Sequence, residues 1–331
     1  MNVVVTGSIA YDYIMTFPGR FADHILPDQI EKLSVSFLVD GMQKQRGGCA
    51  ANIAYNLALL GERPRLMGTV GRDFDAYRTH LERSGVDTSL VRVEPDLFTA
   101  SFFVSTDEVG NQIANFYTGA MARARELSLL GLAHDSVDLV VISPNDPQAM
   151  VKYAAECQAL EIPYLYDPSQ QIVRLSAEEL IQGLTGAELL VVNDYEFEMV
   201  REKTGLSAAE VEAAPRRAAI ITMGDQGSRI CTEDATYRVP AALPTCVDDP
   251  TGVGDAYRAG LIKGLGLGVS WPVAGRMGSV AAAFALEQPG PQSHCYTMAD
   301  FTSRLQALLE ADGLASDSTL SLLRTTTGSP S

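Results

Sequence analysis

Asp249-Pro250-Thr251-Gly252-Val253-Gly254-Asp255-Ala256-Tyr257 decides the reading of this chain. Two glycines one residue apart are flanked by carboxylates. An apolar run (Ala256, Tyr257, Ala259, Leu261, Ile262, Leu265) follows at helical spacing. Pro250 ends whatever precedes it. Gly252 and Gly254 allow a turn with φ > 0, or a close approach of the backbone to a ligand. The spacing predicts a helix from about Val253, whose free N–H groups and positive dipole end face the turn. Such a turn is an anion site. Asp255 falls in the first helical turn. As a local feature it complements the dipole or caps the helix. As a functional one it is a general base whose substrate hydroxyl lies beside a bound phosphate. Local chemistry leaves both open, because Gly and Asp are common in turns.

Outward from this stretch the pattern is α/β. Residues 2–7 read as a short buried strand, with Ser8 and Asp12 just beyond it. Residues 33–40 partly alternate, with Ser34 and Ser36 on one face and Val35, Phe37 and Val39 on the other, which predicts a strand with one ligand-facing side. Arg46-Gly47-Gly48-Cys49-Ala50-Ala51-Asn52 opens a helix that Gly61 closes. Residues 65–70 and 74–84 give strand then helix. Residues 99–105 and 112–118 form an expected hairpin carrying Phe102, Phe103, Phe116 and Tyr117, which read as core or as a ligand site. From residue 137 strands and helices alternate, which predicts a parallel sheet covered on both faces. Asp167, Asn193 and Thr222 each follow a strand, at the edge where such sheets bind ligands. Residues 228–232 and 235–239 look like a second hairpin, with helices from Trp271 to Leu286 and near Met298 to Leu309. Residues 312–331 read as a disordered Ser/Thr/Gly tail.

The 331 residues carry a net charge of −16, which argues against nucleic acid or an anionic membrane as partner. A nucleotide remains compatible, because a helix N-terminus holds phosphate locally. Five cysteines without a CxxC pair argue against a disulfide framework or structural zinc, and for reduced thiols in the cytoplasm. No basic n-region or h-region opens the chain.

The motif inventory narrows the chemistry. There is no G-x-x-x-x-G-K-[ST], no G-x-G-x-x-G after the first strand and no G-x-S-x-G elbow. Asn193-Asp194-Tyr195-Glu196 places Asn and Glu three apart at a helix start. They form a capping box, or they hold a hydrated Mg²⁺ indirectly.

Four motifs in order then carry a resemblance: Gly47-Gly48 with Asn52, Asn193 with Glu196, Thr222 with Gly224 and Gly227, and Asp249 to Asp255. Together they resemble the ribokinase-like, PfkB-type carbohydrate and nucleoside kinases, over about residues 2 to 310. Within that family the chain most resembles bacterial adenosine kinases, through Val5 to Ala10, Phe17 to Phe21, Ser36 to Asp40, Asn115 to Met121 and Asp167 to Gln171. The resemblance implies a doubly wound sheet with a small β lid drawn from segments near 12–17, 33–40, 99–105 and 112–118. It implies transfer of the ATP γ-phosphoryl group to the 5′-hydroxyl of adenosine, or to another nucleoside or a sugar. Asp255 would be the base, with Gly252, Val253 and Gly254 donating N–H groups to the transferring phosphate. Asp12 and Asn52 would hold ribose hydroxyls beside Gly48, and Ser8 and Ser36 would contact the nucleoside. Phe102 and Phe116 would flank the base, and Arg174 would reach the site. Asn193, Glu196, Thr222, Gly224 and Gly227 would serve ATP and Mg²⁺, and Asp249 and Thr251 a monovalent cation such as K⁺. Val253 stands where alanine is commoner in the family, and Pro250 follows Asp249; both changes are small. An apolar lid edge offers pairing to a second copy, so a homodimer is expected.

Overall fold

The computed structural model describes residues 1–32, 34–132 and 137–315. The tail expected at 312–331 therefore lies outside the described residues from 316 onward. The first half of the chain contains β1 (Val3–Thr6), β2 (Ala10–Thr16), β3 (Gly41–Gly47), α1 (Cys49–Leu59), β4 (Arg65–Gly71), α2 (Asp75–Arg83), β5 (Asp87–Glu94), β6 (Ala100–Thr106) and β7 (Gln112–Tyr117). The regular βα part follows as β8 (Leu139–Ile142), α3 (Pro147–Ala159), β9 (Tyr164–Tyr166), α4 (Ala177–Gly186), β10 (Leu189–Asn193), α5 (Asp194–Thr204), α6 (Ala208–Ala213) and β11 (Ala218–Thr222). The chain continues with β12 (Ser228–Cys231), β13 (Thr236–Val239), α7 (Val253–Gly266), α8 (Trp271–Leu286) and α9 (Met298–Ala311).

The main sheet runs β13-β12-β11-β10-β9-β8-β1-β4-β5, parallel except where β12 and β13 turn back at one edge. The strands are short apolar runs because both faces are covered. Side chains alternate between two cores. Val3, Val5, Val141, Leu165, Val191 and Ile220 pack with α1, α7, α8 and α9, whereas Val4, Val140, Tyr166, Leu190, Val192 and Ile221 pack with α3, α4 and α5. This is the doubly wound sheet that the alternation predicts. No described helix is long and apolar enough to cross a membrane.

A second sheet, β3-β2-β6-β7, forms the lid. Three of its strands fall where the sequence places them. The fourth does not. Residues 34–39 are irregular, and the strand is Gly41–Gly47, antiparallel to β2 from Ala10↔Gly47 to Thr16↔Gly41. Of the apolar members of the expected strand, Val35 and Leu38 are exposed, and Phe37 is used elsewhere. Phe37 packs edge-on against Phe17 and Phe21 at centroid separations of 5.1 and 4.8 Å. The real strand is mostly exposed and polar, so it shows no alternation for a period-based reading to find.

Candidate active site

Two glycine turns build the site. In the first, Gly48 has φ +95 and precedes α1. A Cβ there would lie 2.6 Å from the Ser8 carbonyl oxygen and 2.7 Å from the Ala10 nitrogen. The turn thus presses backbone against backbone, and any other residue would be both strained and in collision. In the second, Gly252 has φ +77 and caps α7, whose first turn carries Asp255. The helix entry is where the sequence predicts it, and Val253 N donates to the Pro250 carbonyl at 3.4 Å.

Asp255 is 7% exposed. Its Oδ2 accepts from Asn52 Nδ2 at 2.9 Å, which closes the first turn onto the second. Burial pushes the Asp255 carboxyl up to about 6, against the Arg258 charge and the Asn52 amide, which pull it down. A carboxylate in that range is ionised at neutral pH yet basic enough to take a proton. Asn52, expected at a ribose hydroxyl, has both ends of its amide on protein groups, since its Oδ1 accepts from Gln292 Nε2 at 2.8 Å. Ser8 accepts from the Cys49 N–H at 2.9 Å and so serves the α1 N-terminus.

The lid supplies one transverse row. Asp12 is in register with Gln45 on β3 and Phe102 on β6, and Phe102 is in register with Phe116 on β7. Cross-strand partners share a face, so carboxylate and aromatic rings line one side of the lid. Phe102 is half-buried and Phe116 is 50% exposed. A ring left half in water on a sheet face is a surface for a flat ligand. Asp12 joins the lid to the glycine turns: the Cβ position of Gly47 lies 2.3 Å from its Oδ2. Burial, and then the nearby charge of Asp249, push the Asp12 carboxyl up to about 6.

Beyond the second turn a cavity of about 370 Å³ gathers Thr222, Gly224 and Gly227 with Pro250, Val253 and Gly254. Ala242, Leu243, Val247, Ala283 and Leu286 make the rest of its wall largely apolar. An apolar slot opening on a helix N-terminus suits a nucleotide, ring in the slot and phosphates at the turn. Asn193 and Thr222 end neighbouring strands in register. Asn193 and Glu196 form a reciprocal capping box: Glu196 N donates to Asn193 Oδ1 at 2.7 Å, and Asn193 N donates to Glu196 Oε2 at 2.9 Å. Asp249 accepts from Thr251 N at 2.8 Å and Gly290 N at 2.9 Å, which folds its loop toward Gly290.

Two expected residues stand apart from this cluster. Ser36 is exposed in the irregular stretch before β3, and Arg174 is exposed after the turn at 169–173. Among the described residues neither side chain is tied to the Asp255 group. Sequence reasoning missed three others: Gln292, Tyr77 and Arg258. Gln292 is buried, and its Nε2 also donates to the Tyr77 hydroxyl at 2.5 Å. Their spacing in the chain carries no signal; only Arg258, one helical turn after Asp255, was legible as a neighbour.

Residues 2–298 match the pfkB family carbohydrate kinases. The chain is 28% identical over 308 residues to a nucleoside kinase of Methanothermobacter thermautotrophicus, covering 92% of this chain and 96% of that protein. It is similar in structure to the nucleoside kinase of Burkholderia thailandensis in complex with inosine, with TM-score 0.82, 38% identity, and coverage of 93% of this chain and 98% of the other. That kinase is also known in complex with ADP-inosine. The Methanocaldococcus jannaschii nucleoside kinase, an archaeal member of the ribokinase family, gives TM-score 0.83 and 27% identity over 93% of this chain and 99% of its own. The sheet order, the lid and the matched motifs agree: the chain belongs to the pfkB family of carbohydrate kinases and has the ribokinase-like fold.

Proposed function

We propose that this kinase transfers the γ-phosphoryl group of ATP to the 5′-hydroxyl of a nucleoside, with adenosine as the first candidate, giving AMP and ADP. The observation that carries the reading is the placement of Asp255. It is a buried carboxylate in the first turn of α7, bonded to Asn52 and next in the chain to Val253 and Gly254, which line the apolar cavity. Inosine in the Burkholderia thailandensis kinase favours a nucleoside over a free sugar and keeps other purine nucleosides in view.

In this scheme the acceptor base lies against Phe102 and Phe116, and Asp12 holds a ribose hydroxyl. The 5′-hydroxyl then points at Asp255, which takes its proton as the P–O bond forms. The N–H groups of Gly252, Val253 and Gly254 steady the charge on the transferring group. Phosphoryl transfer needs position and charge stabilisation more than covalent help, and fixed N–H donors supply both. The ATP ring occupies the cavity at Thr222, Gly224 and Gly227.

The described residues include no cluster of three or more His, Cys, Asp or Glu able to hold a metal. Mg²⁺ would arrive on the ATP phosphates with its own water, and Glu196, already engaged as a cap, would reach it through water. Bound there, Mg²⁺ would neutralise phosphate charge. Each Asp249 oxygen accepts a single N–H, which leaves lone pairs for a weakly held K⁺ beside Thr251.

The test is ADP release with MgATP against a panel of adenosine, inosine, guanosine, cytidine, ribose and fructose, ranked by kcat/KM. Adenosine or another nucleoside at the head supports the reading. A sugar at the head, or binding without turnover at any Mg²⁺ concentration, overturns it.

A further inference from the structure

Arg258 has no part in the scheme above, yet it is 7% exposed and lies at the centre of the site's charge. Its Nε lies 2.7 Å from Asp167 Oδ2, its Nη1 lies 3.9 Å from Asp255 Oδ1, and its Nη2 lies 3.4 Å from Ser169 Oγ. Asp167 is fully buried at the end of β9. The Nε–H and the Asp167 oxygen are close but not aligned as a hydrogen bond, so charge rather than direction holds that pair. The guanidinium also lies against the anion turn: a Cβ on Gly254 would fall 2.8 Å from Nη1.

One cation thus serves two buried carboxylates. A buried carboxylate stays ionised only with a partner. The scheme needs Asp255 ionised, and the other neighbours do not provide a positive charge. Asn52 on α1 is a neutral donor. Glu196 on α5 is negative and opposes ionisation. Cys49 on α1 is a thiol held well above its usual range by burial, and so neutral. Asp167 is raised to about 7 by burial, against the Arg258 charge, and in its ionised form it competes for the same guanidinium.

We propose that Arg258 is the positioning residue of the catalytic base: shared between Asp167 and Asp255, it keeps the Asp255 carboxylate ionised and fixed beside the glycine turn. This rests on Asp255 being the base. Two consequences of opposite sign follow. Removing the cation disfavours the ionised base. Removing the competing acid gives the base a larger share of the cation.

The experiment is the pH profile of kcat/KM for the nucleoside at saturating MgATP, with melting curves for each variant. Arg258→Met should move the acid limb up by about one unit or more, the size expected when an opposite charge at this range is lost. Activity should fall at pH 7 and return toward pH 9. Arg258→Lys should restore most of the limb, and Asp167→Asn should move it down. An unchanged limb in a folded Arg258→Met, or a shift of the same sign in both Arg258→Met and Asp167→Asn, overturns the proposal. If Arg258→Met does not fold, Asp167→Asn decides alone: a downward shift supports the proposal and no shift overturns it. Full activity in Asp255→Asn would instead remove the base itself, which is a separate failure.

Discussion

Asn52 donates to Asp255 at 2.9 Å across a sequence separation of 203 residues, and this bond joins the two glycine turns. Its orientation is set from behind. Gln292 donates to Asn52 Oδ1 at 2.8 Å and to the Tyr77 hydroxyl, which in turn donates to the Gly47 carbonyl at 2.9 Å. With Oδ1 held by a donor, the Asn52 amide can present only N–H to the carboxylate. A chain of polar contacts therefore runs from the end of lid strand β3 to Asp255.

Breaking that chain should cost rate before it costs structure. Asn52→Leu removes a hydrogen bond to a charged group, worth about 1.5–3 kcal/mol, so kcat should fall about 10- to 100-fold. Gln292→Leu frees the amide to flip and should lower kcat less. Steady-state kinetics with circular dichroism on each variant checks both, and a wild-type kcat in Asn52→Leu would refute the link.

Asp255→Asn should separate activity from stability. Loss of a general base predicts a drop in kcat of about 10²–10⁴-fold. The native carboxyl, raised to about 6, lies above its ordinary 3.8. The native state therefore binds more protons than the unfolded one between those values, and burial of the charge lowers stability above about pH 6. Asn carries no charge, so the variant should melt higher than wild type at pH 8. That gain should shrink as the pH falls through 6. Thermal melts at pH 8 and pH 5 read the difference directly.

The wild-type acid limb of kcat/KM should lie near pH 6 for the same reason. Asp12, also raised to about 6 by burial and Asp249, titrates in the same range. Asp12→Asn should leave the limb in place and raise KM for the nucleoside, whereas a lost limb would assign it to Asp12.

Phe116→Ala tests the lid as a platform for the base. The ring is 50% exposed, so little core is lost and the melting temperature should hold. Stacking of a base on an aromatic side chain is worth about 1–3 kcal/mol, so KM for the nucleoside should rise about 5- to 100-fold with a smaller change in kcat. An unchanged KM would take Phe116 out of the site.

Gly48→Ala should lose stability. Its Cβ would meet the Ser8 carbonyl at 2.6 Å and the Ala10 nitrogen at 2.7 Å, with φ at +95. Neither backbone group can swing away, so the loss should exceed about 1–3 kcal/mol, seen as a lowered midpoint in urea.

Features set within a few residues were readable from the amino-acid order alone. The Gly252–Gly254 turn and the α7 entry follow from local backbone freedom and apolar spacing, and so does the alternation from β8 to β11. The capping box at Asn193 and Glu196 was legible for the same reason, since both halves of its bond pattern sit three residues apart. Tertiary structure decided the rest. The fourth lid strand is Gly41–Gly47, paired along its length with β2, while of the residues before it Phe37 joins Phe17 and Phe21. The link from Asn52 to Asp255 and the Gln292–Tyr77 support behind it depend on the sheet order that brings α1, α2 and α7 together. So does the sharing of Arg258 between Asp167 and Asp255. Local conformation is set by neighbours along the chain, but a buried charge is set by whatever the topology packs against it.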